Sequence, residues 1–410
     1  MTPALPHRPG LDGIRALAVA AVLLYHGGVA WAPGGFLGVD VFFVLSGYLI
    51  TSLLLAERRA NGRVDLRAFW LRRARRLLPA VVVVIAAVVA VTAAFLPGEL
   101  AATRADALAS LLYVQNWHLI LGDQSYFAAF GRPSPLLHLW SLSIEEQFYL
   151  LWPLALGAGL VVLGRGRTAA AVAVAAVASA VLMAALSDPA GDPSRAYFGT
   201  DTRATPLLVG ALLAFAWPPV RDGVRTGRGA GPLLDAVAVA ALAVLALAVA
   251  RRHDYDPATY RGGLVVVALA SAALVAAVAH PATRAGRALG ARPLRWGGRR
   301  SYGIYLWHWP VMVVTRPGLD VPWSATVLVP LQILVTVALA AASYRWVERP
   351  FHTGAAQRRL AAWLDARRPR ERLATAGATA AILVLGVAAV AGRPGPSQAS
   401  PGLRAERTAA

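Results

Sequence analysis

The chain has 410 residues, of which 57% are hydrophobic and 15% are charged, and its mean hydropathy of +0.55 excludes an ordinary soluble domain. Its formal charge of +19 includes many arginines in short loops between apolar runs, a pattern typical of membrane topology rather than of nucleic-acid binding. The absence of cysteine excludes disulfides and thiolate metal sites. These features predict an integral membrane protein with no nucleic-acid partner.

Twelve apolar stretches are candidate membrane helices, since about 20 apolar residues cross a hydrocarbon core of about 30 Å. They cover residues 14–32, 37–56, 77–96, 105–121, 138–163, 169–187, 204–219, 232–250, 262–281, 302–316, 323–345 and 373–392. We expect the first stretch to be retained rather than cleaved as a signal peptide, because the polar His26 interrupts it and a second stretch follows at once.

The arginine-rich loops define the topology, because excess positive charge marks the cytoplasmic side. Three such loops are 57–76, 282–300 and 345–372. Counting crossings between them leaves residues 105–121 without one, and Gln115, Asn116 and His118 at the centre of that stretch favour a re-entrant or surface helix. The N-terminus is then cytoplasmic and the C-terminal tail extracytoplasmic, in a protein of the cell inner (plasma) membrane.

The expected fold is therefore all-α: a polytopic membrane bundle of ten core transmembrane helices, one extra C-terminal transmembrane helix and the non-crossing helix near 105–121. It divides into a membrane domain, a basic cytoplasmic linker, an additional transmembrane helix and a disordered polar tail. These four segments are predicted at 1–352, 353–372, 373–392 and 393–410.

Two polar residues interrupt the first stretch. Arg15 and His26 are eleven residues apart, almost three helical turns, so they share one helix face about 16 Å apart. Ionisable groups at this depth are costly and usually mark a functional path, although a structural hydrogen bond would also account for them. His26 is a candidate general base, because an unperturbed imidazole titrates near pH 6.5.

Glu145 and Glu146 are carboxylates that are expected at nearly the same depth in the membrane as His26. They lie roughly 10 Å from the outer end of their helix, and His26 lies roughly 18 Å from the inner end of its own helix. These depths nearly coincide in a core of about 30 Å, so a pair between His26 and one of the glutamates is geometrically possible. A structural ion pair with arginine is the alternative.

The stretch "DLRAFWLRRARRLLP" combines a helix cap with a cluster of cations. Asp65 can cap a helix on which Arg72, Arg73 and Arg76 share one face, and Pro79 begins the next span. Guanidinium groups pair bidentately with phosphate, which favours a phosphate-rich ligand. Simple anchoring on the cytoplasmic side is an equally open interpretation.

Three further polar residues lie at or near helix ends. Tyr305 and His308 occur early in an outward-running helix, where tyrosine belongs equally to an interfacial belt but histidine is less ordinary. Asp40 lies near the outer end of its helix and could cap that end.

Together these stretches resemble acyltransferase family 3, the multi-pass membrane O-acyltransferases. The resemblance covers residues from about 9 to 352 and rests on motifs in a specific order. They are the Arg15–His26 pair, "GGFLGVDVFFVLSGYLIT", the arginine motif ending at Pro79, "WSLSIEEQFYLLWP", "RSYGIYLWHWP" and "YRWVERPF". Family members have ten helices in this domain, as the topology count also predicts.

The resemblance implies transfer of an acyl group, commonly acetyl, from cytoplasmic acyl-CoA to a hydroxyl of a cell-envelope or exported carbohydrate or glycolipid. His26 would deprotonate the acceptor or relay the acyl group, with Glu145 as its partner. The donor would be held by Arg15, Arg72, Arg73 and Arg76. The remaining candidate pocket residues are Asp40, Ser46, Trp140, Ser143, Glu146, Tyr305 and His308. Acyl-CoA enters as a substrate, and no metal or permanently bound cofactor is expected.

Two alternatives remain open from the residues. The acceptor could be a secondary metabolite, such as a macrolide sugar. The protein could also be a proton-coupled transporter, in which the buried histidine and glutamate form a proton relay, although the sequence lacks the duplicated halves that many transporters have.

Overall fold

The computed structural model describes residues 7–126, 131–188, 191–218 and 230–365. These residues form helices joined by turns and loops, with no β-strand among them, which confirms the all-α prediction. The α-helices are α1 Pro9–His26, α2 Gly38–Asn61, α3 Leu66–Phe95, α4 Leu100–Leu111, α5 Gln115–Leu121, α6 Leu139–Val162, α7 Gly164–Leu186, α8 Ser194–Phe198, α9 Thr200–Ala216, α10 Ala230–Arg251, α11 Leu264–Ala279, α12 Arg284–Leu289, α13 Arg292–Val314, α14 Ala325–Ser343, α15 Arg349–His352 and α16 Ala355–Asp365.

Within the described ranges, six helical segments are long and apolar enough to cross a membrane. They are Gly35–Asn61, Leu66–Phe95, Gly164–Leu186, Ala230–Arg251, Thr259–Ala279 and Ala325–His352. Each of the ten predicted core crossings coincides with a helix, but α1, α6, α9 and α13 are not among these six. Those four helices carry Arg15, His26, Glu145, Arg203 and His308, and their crossing of the membrane stays a prediction.

The first helix is shorter than the sequence predicts. A span over 14–32 is wrong as a single helix, because α1 ends at His26 and the chain turns at Gly27 and Gly28. Gly28 has a φ of 67°, a left-handed conformation that glycine adopts at little cost. His26 is therefore the last residue of its helix rather than a residue in the middle of one.

The arginine stretch belongs to one continuous helix. The side chain of Asp65 accepts a hydrogen bond from the Ala68 backbone N–H, which confirms the predicted cap of α3. Pro79 does not begin a separate span, because it lies inside this 30-residue helix. The arginines thus have a rigid connection to the apolar part of α3.

Residues 105–121 form no single long helix. The end of α4 and all of α5 occupy this stretch, and they are separated by a turn in which Tyr113 has a φ of 55°. Helices of 12 and 7 residues are too short to cross about 30 Å of hydrocarbon. The predicted helix 373–392, the tail 393–410 and the linker beyond residue 365 lie outside the described residues.

Glycines bring two pairs of helices into close contact around the site. Gly47 of α2 meets the Leu207 backbone of α9, where an added Cβ would lie 1.9 Å from the carbonyl oxygen. Gly298 of α13 similarly approaches Asp12 of α1. Since His26 and His308 also meet at the far ends of α1 and α13, these two helices run parallel.

Replacing Gly47 by alanine is expected to lower the stability of the folded domain by about 1 to 3 kcal/mol, because the methyl group would force α2 away from α9. Gly157→Ala is the matched control, since a Cβ there meets no atom within 4 Å. Thermal unfolding of the detergent-purified variants measures the difference. Equal melting temperatures would show that the crossing of α2 and α9 adjusts without cost.

Candidate active site

A small cavity of about 80 Å³ lies among α1, α2, α3, α6 and α13. Its polar and aromatic lining includes Arg15, Ser46, Arg73, Arg76, Ser141, Glu145, Tyr149, Ser301, Tyr302 and Tyr305. The structure thus brings together three of the four arginines and one of the two glutamates that the sequence singles out. We call this space the arginine cavity.

Arg72 does not line this cavity. Its guanidinium lies 3.5 Å from the buried carboxylate of Glu57, across the α2–α3 contact. Arg73 instead lies over the ring of Tyr149, with 5.0 Å between the guanidinium carbon and the ring centroid. Arg72 therefore lies apart from Arg73 and Arg76, because its position on the helix directs it toward α2.

Glu145 is bonded within the arginine cavity and not to His26. The hydroxyl groups of Ser46 and Tyr149 both donate to the same oxygen of Glu145. The predicted His26–Glu145 pair is wrong, because His26 bonds to other residues at the far end of α1. The neighbouring Glu146 is absent from the cavity lining.

His26 belongs to a second group of polar residues, which we call the histidine cluster. Its Nε2 lies 3.0 Å from the Tyr126 hydroxyl, and its Nδ1 lies 3.0 Å from Nε2 of His308. The His308 Nδ1 in turn lies 2.5 Å from the Tyr305 carbonyl oxygen. The ring of Trp309 packs against His26 with 4.7 Å between centroids. The structure thus assigns His26 a histidine partner.

Tyr305 connects the cavity to the cluster. Its ring lines the arginine cavity, and its hydroxyl lies 2.6 Å from Ser141 and donates to the His138 carbonyl at 3.0 Å. Its backbone carbonyl is the partner of His308. A continuous series of polar groups therefore extends from the arginines at one end to His26 at the other.

Asp40 has a different role from the cap that its position suggests. It forms an ion pair with Arg203 at 3.0 Å, and both side chains are fully buried. The Arg203 guanidinium also lies over the rings of Tyr197 and Trp140, at 4.7 and 5.8 Å from their centroids. Breaking such a pair would leave an uncompensated buried charge. Trp140 therefore packs beside the site and does not line the arginine cavity.

Ser143 has a local structural function. Its hydroxyl donates to the Leu139 carbonyl one turn earlier and accepts from the Gln115 backbone N–H. It joins α5 to α6 and is absent from the cavity lining. Its expected place in a substrate pocket stays a prediction.

The loop that precedes α6 is held in place outside the apolar spans. Arg132 forms a bidentate pair with Asp320, at 2.5 and 2.9 Å. Burial would raise the pKa of Asp320, but hydrogen bonds from Arg132 and Arg316 outweigh it and hold that pKa well below its usual range. In the same loop, the Ser134 carbonyl accepts a hydrogen bond from the Trp309 indole. These bonds fix the loop beside the histidine cluster.

Comparison with known proteins identifies the family. The model of the acyltransferase domain known as acyltransferase 3 matches residues 8–345. This chain belongs to the acyltransferase 3 family. Among curated proteins, a putative peptidoglycan O-acetyltransferase, YrhL of Bacillus subtilis, is 46% identical over 84% of the chain. The peptidoglycan O-acetyltransferase OatA of Listeria monocytogenes is 45% identical over 83%, and OatA of Staphylococcus aureus is 40% identical over 83%.

The acyltransferase chain spans about half the length of these curated relatives, since the matches cover 55%, 55% and 57% of them. No solved structure gave a significant match. The similarity is therefore one of sequence along the membrane domain.

Three further residues of the site lie outside the motifs that the sequence singles out. Arg203 carries a signal, because it lies at the border of the apolar stretch that is predicted to begin at residue 204. His138 also carries one, since it is the first residue of the apolar stretch 138–163. Its Nε2 lies 3.1 Å from the Leu306 carbonyl, which Pro310 frees because proline lacks the N–H that would bond it. Tyr126 lies in a loop and had no local signal.

Proposed function

We propose that this chain is a membrane-embedded O-acetyltransferase that moves an acetyl group from acyl-CoA to a hydroxyl of a cell-envelope carbohydrate. The proposal rests on the family, on relatives named peptidoglycan O-acetyltransferases, and on the route from the arginine cavity to His26. The decisive observation is that arginines from two separate helices converge on one cavity inside a membrane domain. Simple anchoring to the membrane surface does not require that convergence.

The arginine cavity is the proposed donor site. Arg73 and Arg76 extend from α3 and Arg15 extends from α1 into the same space, where guanidinium groups suit the phosphates of CoA. Ser46, Glu145 and Tyr149 would line the path of the thioester end. In the proposed topology this end of the bundle faces the cytoplasm, as does the N-terminus, and the bundle has ten core crossings.

His26 is the proposed general base. Its Nε2 takes the proton of the acceptor hydroxyl, and the hydroxyl oxygen attacks the thioester carbonyl carbon. The carbon–sulfur bond then breaks, the ester forms, and the CoA thiolate leaves and takes up the proton that Nε2 received, which returns His26 to its neutral form. This reaction requires the thioester to pass the Tyr305 ring, which lies between the arginine cavity and His26.

Glu145→Gln is expected to lower the rate of transfer by about tenfold or more, because a charged hydrogen-bond acceptor is worth about 1.5 to 3 kcal/mol. The amide removes the negative charge that Ser46 and Tyr149 hydrogen-bond. Glu146→Gln is the matched comparison, since it changes the adjacent residue outside the cavity lining and should have a much smaller effect. Initial rates of CoA thiol release measure both, and the reverse order would make Glu146 the functional carboxylate.

Purified protein in liposomes tests the proposed function. With acetyl-CoA and a glycan acceptor, free CoA thiol should appear at a rate that depends on both substrates. Thiol release only with a secondary-metabolite acceptor would show that the acceptor is a metabolite and not an envelope glycan. Proton flux without any thiol release would instead identify the transporter.

A further inference from the structure

His26 can act as a base only if the correct ring nitrogen carries its lone pair. A neutral imidazole has one N–H and one lone pair, and which nitrogen has which depends on the hydrogen bonds that both make. The Nδ1 of His26 is paired with a second imidazole, that of His308, which can also donate or accept. The tautomer of His26 therefore depends on the tautomer of His308.

The backbone carbonyl of Tyr305 fixes His308. A carbonyl oxygen only accepts, so the His308 Nδ1 that lies 2.5 Å from it must carry the proton. The spacing of three residues within α13 places this carbonyl below the ring, so the bond is local to one helix. His308 is fully buried. Its Nε2 is consequently the acceptor.

The same logic then determines His26. Because the His308 Nε2 accepts, the His26 Nδ1 at 3.0 Å must be the donor. The lone pair of His26 is left on Nε2, where the Tyr126 hydroxyl donates to it at 3.0 Å. The direction of all three bonds follows from a proton on the His308 Nδ1, which faces the Tyr305 carbonyl oxygen.

We propose that His308 is a positioning residue that sets the tautomer of His26, so that Nε2 is the basic atom, and that the Tyr126 hydroxyl marks where the acceptor hydroxyl binds. His308 thereby does for His26 what a carboxylate does in a Ser–His–Asp triad, holding the ring and its Nδ1–H, with a neutral acceptor in place of a charge. This proposal rests on the proposed function only for the role of His26 in transfer. The tautomer itself is independent of it.

Two amide variants separate tautomer control from simple anchoring. The amide of His308→Gln reaches the position of Nε2, and its oxygen can accept from the His26 Nδ1–H. The shorter amide of His308→Asn lies near the position of Nδ1, and it can bond the Tyr305 carbonyl but not His26. Tautomer control predicts that glutamine keeps kcat within about threefold while asparagine lowers it by at least about tenfold, with the acceptor KM little changed. If His308 acts only through its bond to the Tyr305 carbonyl, His308→Asn should instead retain a higher kcat than His308→Gln.

Nitrogen-15 chemical shifts of histidine-labelled protein in lipid give the second readout, with His26→Ala used to assign the His26 signal. Wild type and His308→Gln should show His26 protonated at Nδ1, and His308→Asn should show a mixture of tautomers. The Val22 carbonyl, one turn earlier in α1, also contacts His26. An unchanged Nδ1–H form in His308→Asn would assign control to Val22 and overturn the proposal. If His26→Ala kept full activity, the proposed role of His26 as general base would fail while the tautomer result still stood.

Discussion

Replacing His26 by alanine should lower the rate of acetyl transfer by about a hundredfold to ten-thousandfold, the usual contribution of a general base. The loss is expected to be this large because no other described group has the same access to the proposed acceptor position. Nε2 of His26 bonds the Tyr126 hydroxyl directly, and His308 is bonded through both of its ring nitrogens. The measurement is CoA thiol release by purified protein in liposomes.

The control for this variant is His7→Ala, which removes an exposed imidazole near the start of α1 and should leave the rate unchanged. Thermal unfolding should show that His26→Ala still folds, because the side chain is partly exposed and ends its helix. Transfer at the wild-type rate by a well-folded His26→Ala protein would remove His26 from the chemistry.

Replacing Arg73 or Arg76 by lysine should weaken acyl-CoA binding by about tenfold to a hundredfold. Lysine keeps the positive charge but loses the bidentate fork, and one charge-assisted contact is worth about 1.5 to 3 kcal/mol. Binding of acyl-CoA to detergent-purified protein measures the change. Protease accessibility of the loop before α3 checks that the topology is preserved.

Arg72→Lys provides the matched control, because Arg72 lies one position away on the same helix but contacts Glu57 outside the arginine cavity. Its affinity for acyl-CoA should remain close to that of the wild type. Equal affinities in all three lysine variants would reduce the motif to an anchor and leave Arg15 as the remaining cavity arginine for the donor.

Much of the fold follows from hydropathy and caps in the sequence. The positions of α2, α3, α7, α10, α11 and α14 follow from apolar runs of sufficient length, and the cap at Asp65 follows from its place before an amphipathic stretch. What hydropathy does not register is a turn within an apolar stretch. The Gly27–Gly28 turn ends α1 at His26, so this residue lies at a helix end rather than in the middle of a span.

The site was predicted by residue type but not by pairing. A shared cavity is lined by Arg15, Arg73, Arg76 and Glu145. Charged groups in apolar helices face the interior of the bundle, because exposing them to lipid is costly. Their partners depend on which faces of separate helices meet, and that is set by contacts such as Gly298 against Asp12. Residue spacing along one helix carries no information about such contacts, so the His26–His308 pair was not foreseen.

The most direct test of the account is mass spectrometry of envelope glycans from cells that lack the gene and carry either the wild-type chain or His26→Ala. Glycans from cells that carry the wild type should show the mass increment of an acetyl ester, and glycans from the deletion strain and from the His26→Ala strain should lack it. Glycans with the same acetyl content in all three strains would contradict it.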